Sequence, residues 1–239
     1  MDFRIRAVGD EAVLAEFGTE IKDEINAKVY RMKDWIRERK IKGVGEMLPT
    51  YRSLMIYYSP DEIGYDELVK KLKKFDSSEN DHNDIKKKIL NVPVCYEGIY
   101  GEDLKGMSEE LGMSVDEIIS IHSEPSYKIY MMGFLPGFVY LGGMDERIAV
   151  PRLKSPRTKI PPRSVGIGGK QTGVYPIESP GGWRLIGSTP LDFYDPLKKN
   201  PVLCRAGEYI KFHPIDPKEY ELIRNDLKDG RYKIQITEE

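Results

Sequence analysis

The chain has 239 residues, 40% of them hydrophobic and 32% charged, with a formal net charge of -2 and a pI near 6.1. Such a chain can bury a core and is not a disordered polymer, and a globally basic nucleic-acid binder would read above about pI 9. No apolar run approaches the roughly 20 residues of a bilayer span. The start, MDFRIRAVGDEAV, has no apolar h-region and does not read as a signal peptide. Cys95 and Cys204 stand far apart with no CxxC, which excludes a disulfide scaffold or zinc ribbon and fits a reducing cytoplasm. His82, His122 and His213 are too scattered for a metal site, so none is expected.

In chain order, strands are predicted over 3–8 and 12–17, with Gly9-Asp10 as the turn between them. Ile21, Ile25, Val29, Met32 and Ile36 recur at spacings of three and four and predict a helix over 20–39. Strands follow at 44–48 and 53–58, and Tyr65, Leu68, Leu72 and Phe75 predict a helix over 65–75. The order ββαββα predicts an α+β domain of two layers over residues 1–84, with both helices on one face of a sheet. The polar run SSENDHND (77–84) reads as a linker.

A second domain is predicted over 85–239. It opens with a strand near 87–94 and helices at 101–111 and 115–122, where Ser114 and Glu117 have capping-box spacing. Beyond them the pattern reads as β throughout: 127–132, 164–168, 174–178, 183–188, 191–194, 201–204, 208–212 and 231–236. Many short strands with turn signals predict a barrel or sandwich. Residues 133–190 are about a quarter of the chain yet hold 11 of its 22 Gly and 8 of its 16 Pro, so this stretch is not helical. Segment 151–189 carries seven cations (Arg152, Lys154, Arg157, Lys159, Arg163, Lys170, Arg184) and one acid, Glu178. A local basic field in a mildly acidic chain suits an anionic small molecule or an acidic partner surface, and equally a set of solvated loops.

GIGGKQTG (166–173) fails as a phosphate loop, because Ser164 and Gln171 stand where Gly and Ser or Thr are needed, and no helical pattern follows. IESPGG (177–182) fails as a nucleophile elbow, since Ile177 replaces Gly. Four features remain. GFLPGFVYLGG (133–143) is either a tightly bent core or an apolar wall, and PRLKSPRTKIPPRS (151–164) is a proline-stiffened basic stretch. Gln171 to Tyr175 offer amide, hydroxyl and phenol groups, and Glu178 is a carboxylate among cations, as salt bridge or as acid/base.

These stretches, with SVGIGGKQTGVYPIESPGGWRLIG and TPLDFYDP, closely resemble the allophanate hydrolase subunit 1 family, which also holds the B subunit of 5-oxoprolinase and a bacterial sporulation-kinase inhibitor. Weaker matches reach back to Gly9-Asp10, Asn26, Tyr51-Arg52-Ser53-Leu54, Pro93-Val94-Cys95-Tyr96 and His122. The resemblance implies an α+β N-terminal domain followed by an all-β cyclophilin-like barrel domain. It implies a cytoplasmic protein that pairs with an allophanate hydrolase subunit 2 homologue (the C subunit of 5-oxoprolinase) and acts with the A subunit to hydrolyse 5-oxo-L-proline to L-glutamate. ATP with Mg2+ would be bound at the interface with the partner, and the isolated chain is expected to be inactive. One departure is visible: the family's Pro-x-Gly-Ser is Pro161-Pro162-Arg163-Ser164 here, so Arg replaces Gly.

On this reading Arg157 and Lys170 contact the phosphate or substrate carboxylate, and Glu178 orients or deprotonates a group. Gln171 and Tyr175 position the lactam, Phe138 and Tyr140 form the wall, and His122 is a packed structural histidine. Two rivals stay open. One is a module that inhibits a sensor histidine kinase by docking on it. The other is the carboxyltransferase part of a urea carboxylase, an activity usually embedded in a longer chain.

Overall fold

A computed structural model describes residues 3–76, 87–133 and 135–238. The chain divides into two compact units, 1–84 and 85–239. The expected linker, 77–84, lies outside the described residues.

The first unit runs β1 (Arg4–Val8), β2 (Ala12–Glu16), α1 (Asp23–Arg39), β3 (Val44–Pro49), β4 (Ser53–Tyr58) and α2 (Tyr65–Leu72). Its antiparallel sheet has the order β1-β2-β4-β3. Side chains alternate across a strand, so Val13, Ala15, Leu54 and Ile56 share one face. That face packs with Val29, Met32 and Ile36 of α1 and with Leu68 and Leu72 of α2. The α1 helix starts at Asp23, later than expected, and leaves Ile21 53% exposed. Buried Asn26 stands on its inner face instead and donates to the Thr50 carbonyl at 3.1 Å, tying the helix to the β3–β4 turn. Asp23 and Glu24 in the first turn and Arg37 and Arg39 in the last complement the helix dipole.

The second unit runs β5 (Lys88–Cys95), α3 (Leu104–Leu111), α4 (Val115–Ser123), β6 (Ser126–Met132), β7 (Val139–Gly142), β8 (Arg157–Ile160), β9 (Ser164–Gly168) and β10 (Gln171–Val174). It continues with β11 (Ser179–Gly181), β12 (Arg184–Ser188), β13 (Tyr209–Ile215), α5 (Pro217–Lys228) and β14 (Ile236–Glu238). The large sheet has the order β10-β9-β12-β5-β13-β6-β7, with β14 also on β5, while β8 and β11 pair separately. Among the described residues only β5 and β13 pair in parallel. The two ends of that order meet: a Cβ on Gly173 of β10 would lie 2.7 Å from the Val139 carbonyl oxygen of β7. The sheet is therefore barrel-like and nearly closed around a core that includes Val92, Ile129, Leu141, Val165, Ile186 and Phe212.

Several expectations are corrected. The second unit is not all-β beyond residue 122, because α5 follows β13. Asp216 caps this helix by accepting from the Glu219 N–H at 2.8 Å, Pro217 opens its first turn, and Tyr220 and Ile223 are its buried residues. The alternating run 231–236 is not a strand; pairing begins at Ile236, while Tyr232 and Ile234 pack on the core as irregular chain. β10 starts at Gln171 rather than 174, because Gly169 at φ +63° makes a two-residue turn out of β9. Segments 191–194 and 201–204 supply one isolated bridge, Tyr194–Val202. Strands β7, β8 and β11 had no sequence prediction.

Candidate functional site

Three of the four glycines of 166–173 serve an indole. Trp183 lies against Gly166, Gly168 and Gly173, where a Cβ on Gly173 would stand 3.1 Å from the ring and one on Gly168 closer still. Around the indole stand Phe138 at 5.6 Å, Tyr175 at 6.1 Å and Tyr140 at 6.5 Å between ring centroids, all edge-on. Ile160 and Leu185 complete the cluster. Phe138, Tyr175 and Trp183 are buried, so the aromatic group forms a rigid floor rather than an open wall.

Two arginines border that floor. The exposed Arg152 guanidinium sits 5.9 Å from the Trp183 ring centroid. Arg157 donates to the Trp183 carbonyl at 3.4 Å and to Asp103 Oδ1 at 2.8 Å, and Glu102 lies 3.1 Å away. The other Asp103 oxygen accepts from the Leu185 N–H at 2.6 Å. Burial pushes the Tyr175 phenol up in pKa, against a Trp183 backbone hydrogen bond and the charges of Arg152 and Arg157. Tyr175 is thus a neutral O–H at physiological pH, able to donate or accept a hydrogen bond but not to act as a phenolate base.

The structure brings Phe138, Tyr140, Tyr175 and Arg157 together. Lys170, in the β9–β10 turn, pairs with Glu146 at 2.6 Å, and Glu178 pairs with Lys159 at 3.4 Å, both on the exposed surface. Gln171 opens β10 opposite Gly168. Arg163 pairs with Asp192 at 3.2 Å and Arg184 with Glu110 at 3.0 Å. Five of the seven cations of 151–189 are therefore matched with carboxylates, five of which come from outside the segment, and the basic field is largely neutralised locally. Arg163 also has φ +73°, a left-handed conformation that Gly would take freely. Arg152, Asp103 and Trp183 are site groups to which the sequence assigned no individual role: Arg152 stood within the basic field, and Asp103 and Trp183 only within stretches that carry the family resemblance.

Behind the floor, His122 is fully buried and stacks on Phe212 at 4.7 Å. Its ring nitrogens meet Tyr96 Oη and Thr172 Oγ1, each at 2.8 Å. Thr172 Oγ1 donates to the Gly166 carbonyl, so it must accept from His122 Nε2–H, and Nδ1 then accepts from Tyr96. Burial lowers the His122 pKa to about 3, so the ring is neutral and its hydrogen bonds are complete. Among the described residues no group of His, Cys, Asp and Glu could hold a metal ion, and no helix is long and apolar enough to cross a membrane.

The family model described as carboxyltransferase domain, subdomain C and D, matches residues 3–204. The B subunit of the Bacillus subtilis (strain 168) 5-oxoprolinase is 40% identical over 235 residues, covering 94% of this chain and 98% of that one. The crystal structure of TTHA0988 aligns at TM-score 0.75 and 29% identity over 89% of this chain and 40% of that one, so this chain spans about two fifths of that relative's length. The urea carboxylase of Kluyveromyces lactis shares the fold, with TM-score 0.79 and 22% identity over 99% of this chain and 24% of that one.

Proposed function

The chain belongs to the carboxyltransferase domain family, subdomain C and D, and from that membership we propose that it is the B subunit of an ATP-dependent 5-oxoprolinase, acting with the A and C subunits to open 5-oxo-L-proline to L-glutamate. The end-to-end match to a protein of that name supports the assignment. The longer relative TTHA0988 is consistent with work shared among several proteins, since a region like this chain is there joined to further sequence.

A lactam is a poor electrophile, and 5-oxoproline also carries a carboxylate, so its site needs cations for anionic groups and a shaped surface for a flat ring. The observation that carries the site assignment is the aromatic floor of Trp183, Tyr175 and Phe138 bordered by Arg152 and Arg157. Arg152 has no carboxylate partner among the described residues and takes the substrate carboxylate. Arg157 stays fixed by Asp103 and adds its field. The Tyr175 hydroxyl, Tyr140 and Gln171 position the lactam. Lys170 and Glu178 act after their pairs open, a step that costs about 1 kcal/mol or less for exposed ion pairs.

The 166–173 run is a hairpin packed on an indole and leads into a strand, so its residues do not fit a nucleotide cradle. ATP and Mg2+ are accordingly assigned to surfaces completed by the partner proteins. The test is reconstitution: glutamate release from 5-oxo-L-proline requires this chain, the A and C subunits, and ATP together. Equal release by the A and C subunits without this chain would refute the reading. A separate assay of sensor-kinase autophosphorylation with the isolated chain addresses the rival docking module.

A further inference from the structure

The first unit carries a feature that the proposed activity does not use. β3 is an edge strand of its sheet. A bulge between Val44 and Met47 disturbs its pairing with β4 at one end, and Pro49, with no N–H to donate, closes the other. Between them lies a short window of backbone with no neighbouring strand among the described residues.

Two cavities lie on either side of the bulged end of this window, and Val44 and Gly45 line both. One, of about 420 Å³, opens on the α1 side; its charged lining is Lys33, Arg37 and Lys40. The other, of about 460 Å³, opens on the Tyr57 side; its charged lining is Glu11 and Glu62. Arg37 has a partial partner in Asp34 at 3.1 Å, with both side chains well exposed. Lys33 is held below its usual pKa by burial and by Arg37, against Asp34 and Glu46. An incoming carboxylate would relieve that crowding.

We propose that the β3 edge receives an extended segment of a partner protein in which acidic and basic residues alternate, acids facing Lys33, Arg37 and Lys40 and bases facing Glu11 and Glu62. Two facts set this occupant. An added strand sends successive side chains to opposite faces, so one face of the segment meets the basic cavity and the other the acidic one. Main-chain pairing in such additions supplies affinity, and flanking pockets for alternate side chains supply specificity. The window between bulge and proline fits a brief segment and discourages open-ended sheet growth.

The test uses the full chain and two synthetic eight-residue peptides of equal composition and zero net charge. In the alternating peptide Glu and Lys take turns along the sequence; in the block peptide all the Glu residues precede all the Lys residues. The alternating peptide binds and slows hydrogen exchange at the β3 amides that point away from β4, Met47 among them, and the block peptide binds at least tenfold more weakly. The pair K33E and K40E, or the pair E11K and E62K, weakens the alternating peptide at least tenfold. All four reversals together restore binding, because a one-residue shift of the peptide exchanges its faces, and this rescue also shows that the variants fold. Equal binding of both peptides, no binding of the alternating one, or failure of the fourfold reversal to rescue would overturn the proposal. So would concentration-dependent dimers that protect the same amides without peptide, since a second copy would then be the occupant.

Discussion

Asp103 and Arg157, 54 residues apart in sequence, are joined at 2.8 Å through one carboxylate oxygen while the other oxygen holds the Leu185 N–H at 2.6 Å. One carboxylate thus fixes both the start of α3 and the strand that follows Trp183. The hydrogen bond and charge of Asp103 raise the Arg157 pKa further above its usual value, so the guanidinium stays charged. Asp103→Ala removes two charge-assisted hydrogen bonds and should cost about 3 kcal/mol. Asp103→Asn keeps its side-chain oxygen as an acceptor for Leu185 and should cost roughly half as much. Urea denaturation of the two variants measures this difference, and equal losses would remove the charge from the explanation.

His122 should make the protein acid-sensitive. Its folded pKa is about 3 against 6.5 for the free side chain, because burial disfavours the charged ring. The unfolded chain therefore binds the extra proton as the pH falls below about 6.5, and stability present above that pH drains away down to about pH 3, by about 1.4 kcal/mol per pH unit at the steepest. His122→Gln removes this proton, and between pH 6 and 4 it should lose about 2.5 kcal/mol less than the parent chain. Chemical denaturation at several pH values reads the two slopes.

The left-handed conformation of Arg163 is testable at the backbone. Arg163 adopts φ +73° while its N–H donates to the Tyr175 carbonyl at 2.6 Å and its own carbonyl accepts from the Thr189 N–H at 3.0 Å. The conformation is thus imposed by the fold. Arg163→Gly and Arg163→Ala lose the same Asp192 pair, but only Gly takes this φ without strain. The glycine variant should be the more stable of the two by about 1 kcal/mol. Thermal unfolding of both decides it, and a more stable alanine variant would contradict the strain.

The indole floor should be sensitive to a single methyl group. Gly168→Ala places a Cβ on the Trp183 ring, with a cost of about 1–3 kcal/mol for overpacking. The chain has two tryptophans, and Trp35 lies in the first unit, so fluorescence in a Trp35→Phe background reports Trp183 alone. A shifted emission with lowered stability is expected; an unchanged spectrum would place the indole elsewhere.

The first unit was legible because its signals are local. The alternation of Val13 and Ala15 and the spacing of Val29, Met32 and Ile36 are readable without knowing their partners. The second unit was harder. The α5 helix buries only Tyr220 and Ile223, too few for a clear period, though Asp216-Pro217 with Glu219 announced its start. Strands β8 and β11 sit among Pro156, Pro161 and Pro180, which read as loop. The site's aromatic residues were visible as a cluster of types, but the partners of its cations were not. Asp103, Glu146 and Asp192 reach their arginines and lysine only through the fold, so charge counting left a basic field where the structure has mostly pairs.

The central claim is that Arg152 over the Trp183 floor takes the carboxylate of 5-oxo-L-proline. Steady-state glutamate release by complexes assembled with the parent chain or with Arg152→Ala tests it most directly. The account predicts a KM for 5-oxo-L-proline raised at least tenfold, equivalent to about 1.4 kcal/mol of binding, with the unfolding midpoint of the chain unchanged because this arginine is exposed. An unaltered KM and kcat in the variant complex would contradict it.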